Sequence, residues 1–568
     1  MAKFEAVKIE PGIYEMPNSI FLLIMDGDEI QARKAVQHVY PDIRVVLISK
    51  SELRAKSWSG QIKTLRALHG QAFVIFTRKI EQLAERQLLA LTAFIHRCQE
   101  TLLMDSTGNV ERISKQLVWR SAPLFLWNVF GELFILAKAL FILLFWHPQP
   151  VESKMDRPHE RSMDFTYLFP DTAPIVEFGG ATTHISGFLD GALQCGVNCS
   201  IFTTHTLPGV TQQQTILPLS GDPYILRETR NLGMSSQSHA EAENRINVER
   251  PKFIYQRHVR YSYAGAKLAQ SLGLPLVLEF NGFEMVMAKH WDPARFPLLL
   301  QLAERRSLEA ATLIVVVSEF LKQDLMKNGF PEHRILVNAN GVDTVKFSPG
   351  RKGKEIRNKY GFKDDDIVVA FTGSITVSQG ICEIEEVILE LSGREKELNI
   401  PHLRFLIVGS GLHAQDMRQT LAEQINSGVV ICPGNVPHED IVGYLDAADI
   451  LLAPHRFMPE SMPYFGSPTK QFEYMAMMKG IVASDLKLDP PIHVHEKTAL
   501  LITPGSTDEL KQAIVRMSGD TGLRHRLGES ARKVVEAQYT WKHNAQRVLE
   551  RMTANQERTT EPDADPKS

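Results

Sequence analysis

Lys470 and Glu473 lie one helical turn apart in the stretch Phe465-Gly-Ser-Pro-Thr-Lys-Gln-Phe-Glu-Tyr-Met-Ala-Met-Met-Lys-Gly480. The residue types predict a helix of about three turns, with Ser467 as N-cap, Pro468 in the first helical position and Gly480 as a left-handed stop. Phe472, Met475 and Ala476 fall at helical spacing and can face a core. Lys470 and Glu473 then share a different face near the positive end of the helix. Free backbone N–H groups and an ammonium suit an anion there, and a carboxylate one turn further in can accept two hydrogen bonds from a vicinal diol. A phosphate joined to a ribose carries both groups.

Other segments must hold this helix in place. Residues 335–350 mark a boundary between two α/β units. The first opens at Ile175-Val-Glu-Phe-Gly-Gly-Ala-Thr-Thr-His184, read as strand, glycine turn and helix start. Gly179 and Gly180 let a backbone approach a ligand, with His184 in the helical turn beyond; a tight turn with a capping histidine is the plainer alternative. The runs Phe253–Arg257, Leu276–Glu284 and Leu313–Glu319 are apolar and end in polar residues, as strand ends lining a cleft do. The second unit runs through Ile367–Ser374, Phe405–Gly411, Val429–Cys432 and Ile450–Ala453 to the Lys470 helix. Gly409-Ser-Gly-Leu-His-Ala414 partly matches a dinucleotide fingerprint, but the next strand, ending at Cys432, lacks the acid that would hold a ribose.

At 568 residues the chain is too long for one core. A net charge of −3 without runs of like charge gives no reason to expect nucleic acid as a partner. Five scattered cysteines suit thiols in a reducing compartment, and no apolar segment of the signal type follows the first residues. Residues 1–115 read as a small α/β domain with strands at Ile20–Met25, Ile43–Ile48, Ala72–Phe76 and Thr101–Met104. Its Asp26-Gly-Asp28 reads as turn chemistry, with a metal-binding carboxylate pair as the alternative. Residues 116–147 hold a nearly all-apolar stretch, Ala122–Trp146, long enough to cross a bilayer but interrupted by Glu132 and Lys138. A membrane-surface or re-entrant helix, a helix buried in the first domain and a true span all fit it. Residues 148–163 read as a linker and 553–568 as a disordered polar tail.

From about Asp164 to Trp541 the chain resembles the family-4 (group 1) retaining glycosyltransferases. The matching segments are Phe280-Asn-Gly-Phe-Glu284, Val315-Val-Val-Ser-Glu319, Asn338-Ala-Asn-Gly-Val-Asp343, Gly434-Asn-Val-Pro-His-Glu439, Tyr444-Leu-Asp-Ala-Ala-Asp449 and Ser467-Pro-Thr-Lys-Gln-Phe-Glu-Tyr-Met-Ala476. The resemblance implies the α/β GT-B fold: two Rossmann-like domains facing a cleft, an acceptor domain at 164–347 and a nucleotide-sugar domain at 348–552. Here the small α/β domain and the hydrophobic helix would precede them. Ala537–Trp541 resembles the family's closure, in which the last helix crosses back to the first lobe.

By the same resemblance Glu473 holds the donor ribose, Gly179 and Gly180 lie beside the donor phosphates, and the loop of Gly434, Val436, Pro437 and His438 holds the base. Gly373, Ser374, Gln379, Ser467, Pro468 and Thr469 complete the donor side; Asn281, Glu284 and Arg257 face the acceptor or sugar. Lys470, Glu473 and His184 are the expected catalytic residues, with no metal and no cofactor beyond the nucleotide-sugar substrate. Two departures stand out. Phe465 occupies the place of the family's first motif glutamate, and the usual phosphate-clamping cations would fall near Ser374 and Gln379, neither charged. Lys470 is the residue that can replace their charge.

The implied reaction moves a sugar, with retention, from a nucleoside-diphosphate donor to a hydroxyl, by front-face attack in which the leaving phosphate takes the acceptor proton. A membrane-contacting helix would favour a lipid-linked or envelope-polysaccharide acceptor and a peripheral place on the cytoplasmic face of a membrane. Two alternatives use the same pocket: a nucleotide-sugar epimerase or hydrolase, and a catalytically silent scaffold that binds the donor.

Overall fold

Each apolar run read near the N-terminus forms a buried parallel strand. The first sheet comprises β1 (Phe4–Ala6), β2 (Ser19–Ile24), β3 (Arg44–Ile48), β4 (Ala72–Thr77), β5 (Glu100–Asp105) and β6 (Val110–Ile113), ordered β1-β3-β2-β4-β5-β6, with only the β5/β6 pair antiparallel. A computed structural model of the chain describes residues 4–6, 14–25, 29–48, 50, 53, 56–78, 80, 83, 86–151, 163–172, 179–217, 226–290, 293–350, 352–456, 466–488 and 491–560. Asp26-Gly-Asp28, Ile175–Phe178 and Phe465 lie outside these residues, as does most of 148–163.

The long apolar stretch is one helix, α1 (Lys115–Phe145), whose Val118–Phe145 part is long and apolar enough to cross a membrane by length and composition. One side of it is built into the protein. Val118 enters the core of the first domain, and Asn128 donates to Gln87 at 3.0 Å. Further along, Ala139 and Leu143 pack with Leu232, Tyr263 and Leu300 of the following lobe, and the Leu143 carbonyl accepts from Arg306 at 2.9 Å. Glu132, which interrupts the apolar run, is buried and accepts from the Leu226 N–H at 2.7 Å and the Thr229 hydroxyl at 2.5 Å. Residues 146–151 then follow the lobe surface: the Trp146 ring lies 6.2 Å from Tyr263, and the Val151 carbonyl accepts from Thr312 at 3.0 Å.

The first large lobe opens at β7 (Phe165–Phe169), a strand the sequence reading did not single out. After β7 come α2 (Gly180–Gln194), β8 (Cys199–Thr203), β9 (Gln214–Ile216), α3 (Arg227–Glu249), β10 (Phe253–Arg257), β11 (Leu276–Glu279), α4 (Pro297–Ala310), β12 (Leu313–Val316) and β13 (Ile335–Val337). All seven strands are parallel, ordered β9-β8-β7-β10-β11-β12-β13. The second lobe repeats the plan with β14 (Ile367–Thr372), β15 (Leu403–Val408), β16 (Val430–Gly434), β17 (Ile450–Ala453), β18 (Gly480–Ser484) and β19 (Leu500–Ile502), ordered β16-β15-β14-β17-β18-β19. Both orders place the first strand beside the fourth. At that reversal helices leave to opposite faces and open a crevice at the strands' carboxyl ends, where such sheets bind ligands.

The final helix, α6 (Trp541–Thr560), crosses back to the first lobe, where Ala545, Val548 and Met552 join the core around Phe165 and Tyr167. It runs past Thr553, where the sequence reading begins a tail; the packing that starts at Trp541 holds the helix together, and it extends to Thr560. The crossing is tight. A Cβ on Gly187 would fall 2.2 Å from the Trp541 ring, and one on Gly191 would fall 2.1 Å from the Trp541 carbonyl oxygen, so only glycines let α2 and α6 approach this closely.

Candidate active site

The Lys470 helix is α5 (Thr469–Ala476), shorter than its sequence implies. Pro468 stands at the N-cap, because the Ser467 hydroxyl expected there accepts instead from the backbone N–H of Asn340 at 2.9 Å. Gly480 is not the stop either. The left-handed residue is Met478 (φ 57°), and Gly480 begins β18, where a Cβ would meet Met517 Sδ at 3.0 Å and Arg524 Cγ at 3.1 Å. Phe472, Met475 and Ala476 are fully buried, as their spacing implies.

A cavity of about 310 Å³ lies at the reversal point of the second sheet. Gly179, Gly180, Gly373, Ser374, Gln379, Pro468, Thr469, Lys470 and Glu473 all line it. The amino end of α2 faces the amino end of α5 across it: a Cβ on Gly180 would sit 3.9 Å from Thr469 Oγ1. Each helix start leaves backbone N–H groups without partners inside the helix, so two positive ends converge on one space.

The Lys470 ammonium lies between them. Its Nζ donates to Gln379 Oε1 at 2.5 Å and sits 4.3 Å from the centre of the Phe371 ring. A Cβ on Gly373 would come within 2.9 Å of it. The charge therefore reaches the β14 exit, where Ser374 and Gln379 leave none of their own. The side chain keeps some surface in the cavity, yet protein closely surrounds its ammonium. Desolvation lowers its pKa to about 7, partly opposed by the Glu473 carboxylate. His455, at the end of β17, borders the same space; burial first, and Lys470 second, lower its pKa to about 3, so it is a neutral neighbour to the lysine at physiological pH.

Glu473, 7% exposed, is held by a short relay. The Lys346 ammonium contacts His438 Nδ1 at 2.9 Å, and His438 Nε2 contacts Glu473 Oε1 at 3.3 Å. With Nδ1 accepting from lysine, Nε2 carries the hydrogen that points at the carboxylate. These groups also border a neighbouring cavity of about 430 Å³, together with Gly179, Pro437, Asp190 and Asp343. Burial and the nearby Asp343 raise the Asp190 pKa. Of the expected base-holding loop, Pro437 and His438 reach the cavities, Val436 packs against the core, and Gly434 (φ 83°) ends β16 and accepts from the Gly409 N–H at 2.9 Å. Gly409 and Gly411 have a packing reason instead of a dinucleotide one. A Cβ on either would fall 1.9 Å from the Gly373 carbonyl oxygen or 2.4 Å from that of Ile375.

His184 is placed differently from the other expected catalytic residues. Its side chain is buried and lines neither cavity: Nδ1 lies 2.7 Å from Asn340 Oδ1, Nε2 lies 3.0 Å from Glu279 Oε2, and the ring stands edge-on to Trp541. Asn340 in turn donates to the Ser467 carbonyl at 2.6 Å. His184 thus joins α2 of the first lobe to the start of α5 in the second.

Glu279, at the last position of β11, is the residue the sequence reading missed. Arg257 is its register partner on β10 and pairs with it, while Asn281 and the Tyr255 hydroxyl donate to it at 2.9 and 3.1 Å. Burial alone would raise its pKa, but Arg257 and His184 hold it well below the usual carboxylate range. Glu284 lies a turn beyond, its N–H donating to Glu304 at 2.7 Å. Arg257, Asn281 and Glu284 therefore gather near the strand ends of the first lobe without lining either cavity.

Similarity to known proteins agrees with this layout. The profile "Glycosyl transferases group 1" matches residues 366–520, and "Glycosyltransferase Family 4" matches residues 178–346, together more than half of the chain. A putative teichuronic acid biosynthesis glycosyltransferase of Bacillus subtilis is 25% identical over 287 residues, 50% of this chain and 65% of that protein. The chain thus spans just under two thirds of that relative's length. A GDP-mannose-dependent phosphatidylinositol monomannoside mannosyltransferase of Corynebacterium glutamicum is 22% identical over 333 residues, 58% of this chain and 83% of that protein. Among solved structures, Anabaena HepE in complex with UDP shares the fold with a TM-score of 0.54 at 15% identity, covering 69% of this chain and all of HepE. With two Rossmann-like lobes closed by α6 and both family profiles matched on either side of the cleft, the chain belongs to the group 1 glycosyltransferases of GT-B fold.

Proposed function

We propose that the chain transfers a sugar from a nucleoside-diphosphate donor to a hydroxyl of a saccharide or glycolipid, with retention. The observation that carries this reading is the convergence of two helix amino ends and Lys470 on one cavity, with the Glu473 carboxylate one turn further in. That arrangement offers positive potential for a diphosphate and an acceptor for a ribose diol. The UDP in the HepE complex and the GDP-mannose named for the Corynebacterium relative support a donor of this class.

In the reaction, the bond between the anomeric carbon and the diphosphate oxygen breaks. The acceptor oxygen bonds to that carbon on the same face, and its proton passes to the departing phosphate. Lys470 and the two helix ends stabilise the charge that develops on the diphosphate. His184 acts as a positioning residue that holds Asn340, and through it the start of α5.

A thermal-shift screen with UDP-, GDP- and ADP-sugars tests the reading. One donor class is expected to raise the melting temperature, because a ligand at about 100 times its Kd stabilises the folded state by about 2.7 kcal/mol. No shift with any donor would refute it, and donor breakdown without an acceptor would mark a hydrolase.

Donor binding is also expected to take up protons above pH 7. Free Lys470 has lost its charge there, and a neighbouring diphosphate restores it, so affinity falls by up to about tenfold per pH unit above 7 and levels off below. Calorimetry at pH 8 in buffers of different ionisation enthalpy reads this as about one proton taken up per donor. Zero uptake would mean that the empty site keeps the lysine charged.

A further inference from the structure

Along its outer side α1 presents large apolar side chains that the described residues leave mostly uncovered. Trp119, Trp127, Phe130, Phe134, Phe141 and Phe145 are each about two-thirds or more exposed, with exposed leucines between them. The helix is about 46 Å long at 1.5 Å per residue. Side chains of this size leave on the order of 1,000 Å² of contiguous apolar surface, well beyond the roughly 300–600 Å² of the largest patch on a typical soluble monomer. We propose that this face of α1 docks the protein on an anionic lipid bilayer, with the helix lying in the plane of the interface.

Three observations select a bilayer over other occupants. First, the exposed charges on the helix are Lys115, Arg120 and Lys138, while its one acidic residue, Glu132, is buried and bonded inward. A second copy of the chain docked about a two-fold axis would set these cations against each other, whereas anionic headgroups complement them. Long basic side chains at the border of an apolar stripe can also reach the headgroup layer.

Second, the opposite side of α1 is packed on two folded units, so a span would draw those units into the hydrocarbon. An in-plane helix leaves them in water. Third, the stripe continues inward. Trp119 and Leu124 also line a mostly apolar cavity of about 680 Å³ between α1 and the first domain, with Leu91, Phe94 and Ile113 behind them. An apolar space of this size suits lipid acyl chains.

The test is co-sedimentation of the full chain with phosphatidylcholine vesicles, with and without phosphatidylglycerol, in the absence of any donor. Binding to the mixed vesicles, several-fold tighter than to neutral ones and weakened by salt, is the expected result. The triple variant Trp127→Glu, Phe130→Glu, Phe134→Glu is expected to lose at least tenfold in vesicle binding while melting at the wild-type temperature, since all three side chains are exposed. Lys138→Glu alone should remove most of the preference for anionic lipid. A wild-type chain that stays in the supernatant with both vesicle types overturns the proposal. So does a dimer, seen by light scattering, that the triple variant converts to monomer. Because no donor is present, the outcome is independent of the glycosyl-transfer reading.

Discussion

Lys470→Met is expected to lower turnover about 10²–10³-fold, the effect of removing one preorganised charge from a developing oxyanion. Lys470 is the cation whose ammonium reaches the β14 exit, where it bonds to Gln379 and lies beside Gly373 and the two helix ends. Once the donor class is known, kcat with that donor reads the effect directly. Methionine keeps the length and apolar contacts of the stem against Phe371, so the substitution removes charge more than packing.

Stability should move the other way. The fold holds Lys470 with a depressed pKa, and replacing such a group by an apolar one is often neutral or stabilising. A variant that melts at or above the wild-type temperature, yet transfers sugar hundreds of times more slowly, separates the catalytic loss from misfolding. The proton uptake on donor binding should vanish in the same protein. Unchanged kcat would show that the two helix ends suffice for the diphosphate.

Glu473→Gln is expected to weaken donor binding about 10- to 100-fold, since a hydrogen bond to a charged group contributes about 1.5–3 kcal/mol. The amide keeps the shape of the carboxylate but offers one accepting oxygen in place of two. It also weakens the contact from His438, which in the empty site points at the carboxylate. The loss should appear in Kd, measured by calorimetry, and in KM, with kcat changed far less, because a ribose contact acts on ground and transition states alike. A fall in kcat at constant Kd would move Glu473 from the ribose to the reacting groups.

The stretch from Ser467 to Gly480 shows what sequence can and cannot resolve. Helical spacing puts Phe472, Met475 and Ala476 on a core face and Lys470 and Glu473 on another, which the structure turns to the cavity, because helical period is a local property. Its ends differ from that reading for a reason outside the helix. Asn340, more than 120 residues earlier, takes the Ser467 hydroxyl, and the close approach of Met517 and Arg524 claims Gly480 as a strand residue. Glu279 was passed over for the same reason: an acid closing an apolar run looks like a strand end, and its meaning comes from Arg257 on the next strand and His184 on α2. The signal in the sequence is that Arg257 and Glu279, of opposite charge, close successive apolar runs.

The amino-acid sequence by itself determined the three α/β units, most of their buried strands, the family and the helix that carries Lys470 and Glu473. The units, strands and helix follow from apolar periodicity and the family from the resemblance of its short motifs, all written in neighbouring residues. Only the tertiary structure decided that His184 braces the lobes from outside the cavities, that Lys470 reaches the β14 exit, and that α1 packs one side on the protein while the large apolar side chains of the other stay exposed. Each of these depends on which distant groups burial and hydrogen bonding bring together, and that pairing is a property of the packed chain rather than of any local stretch.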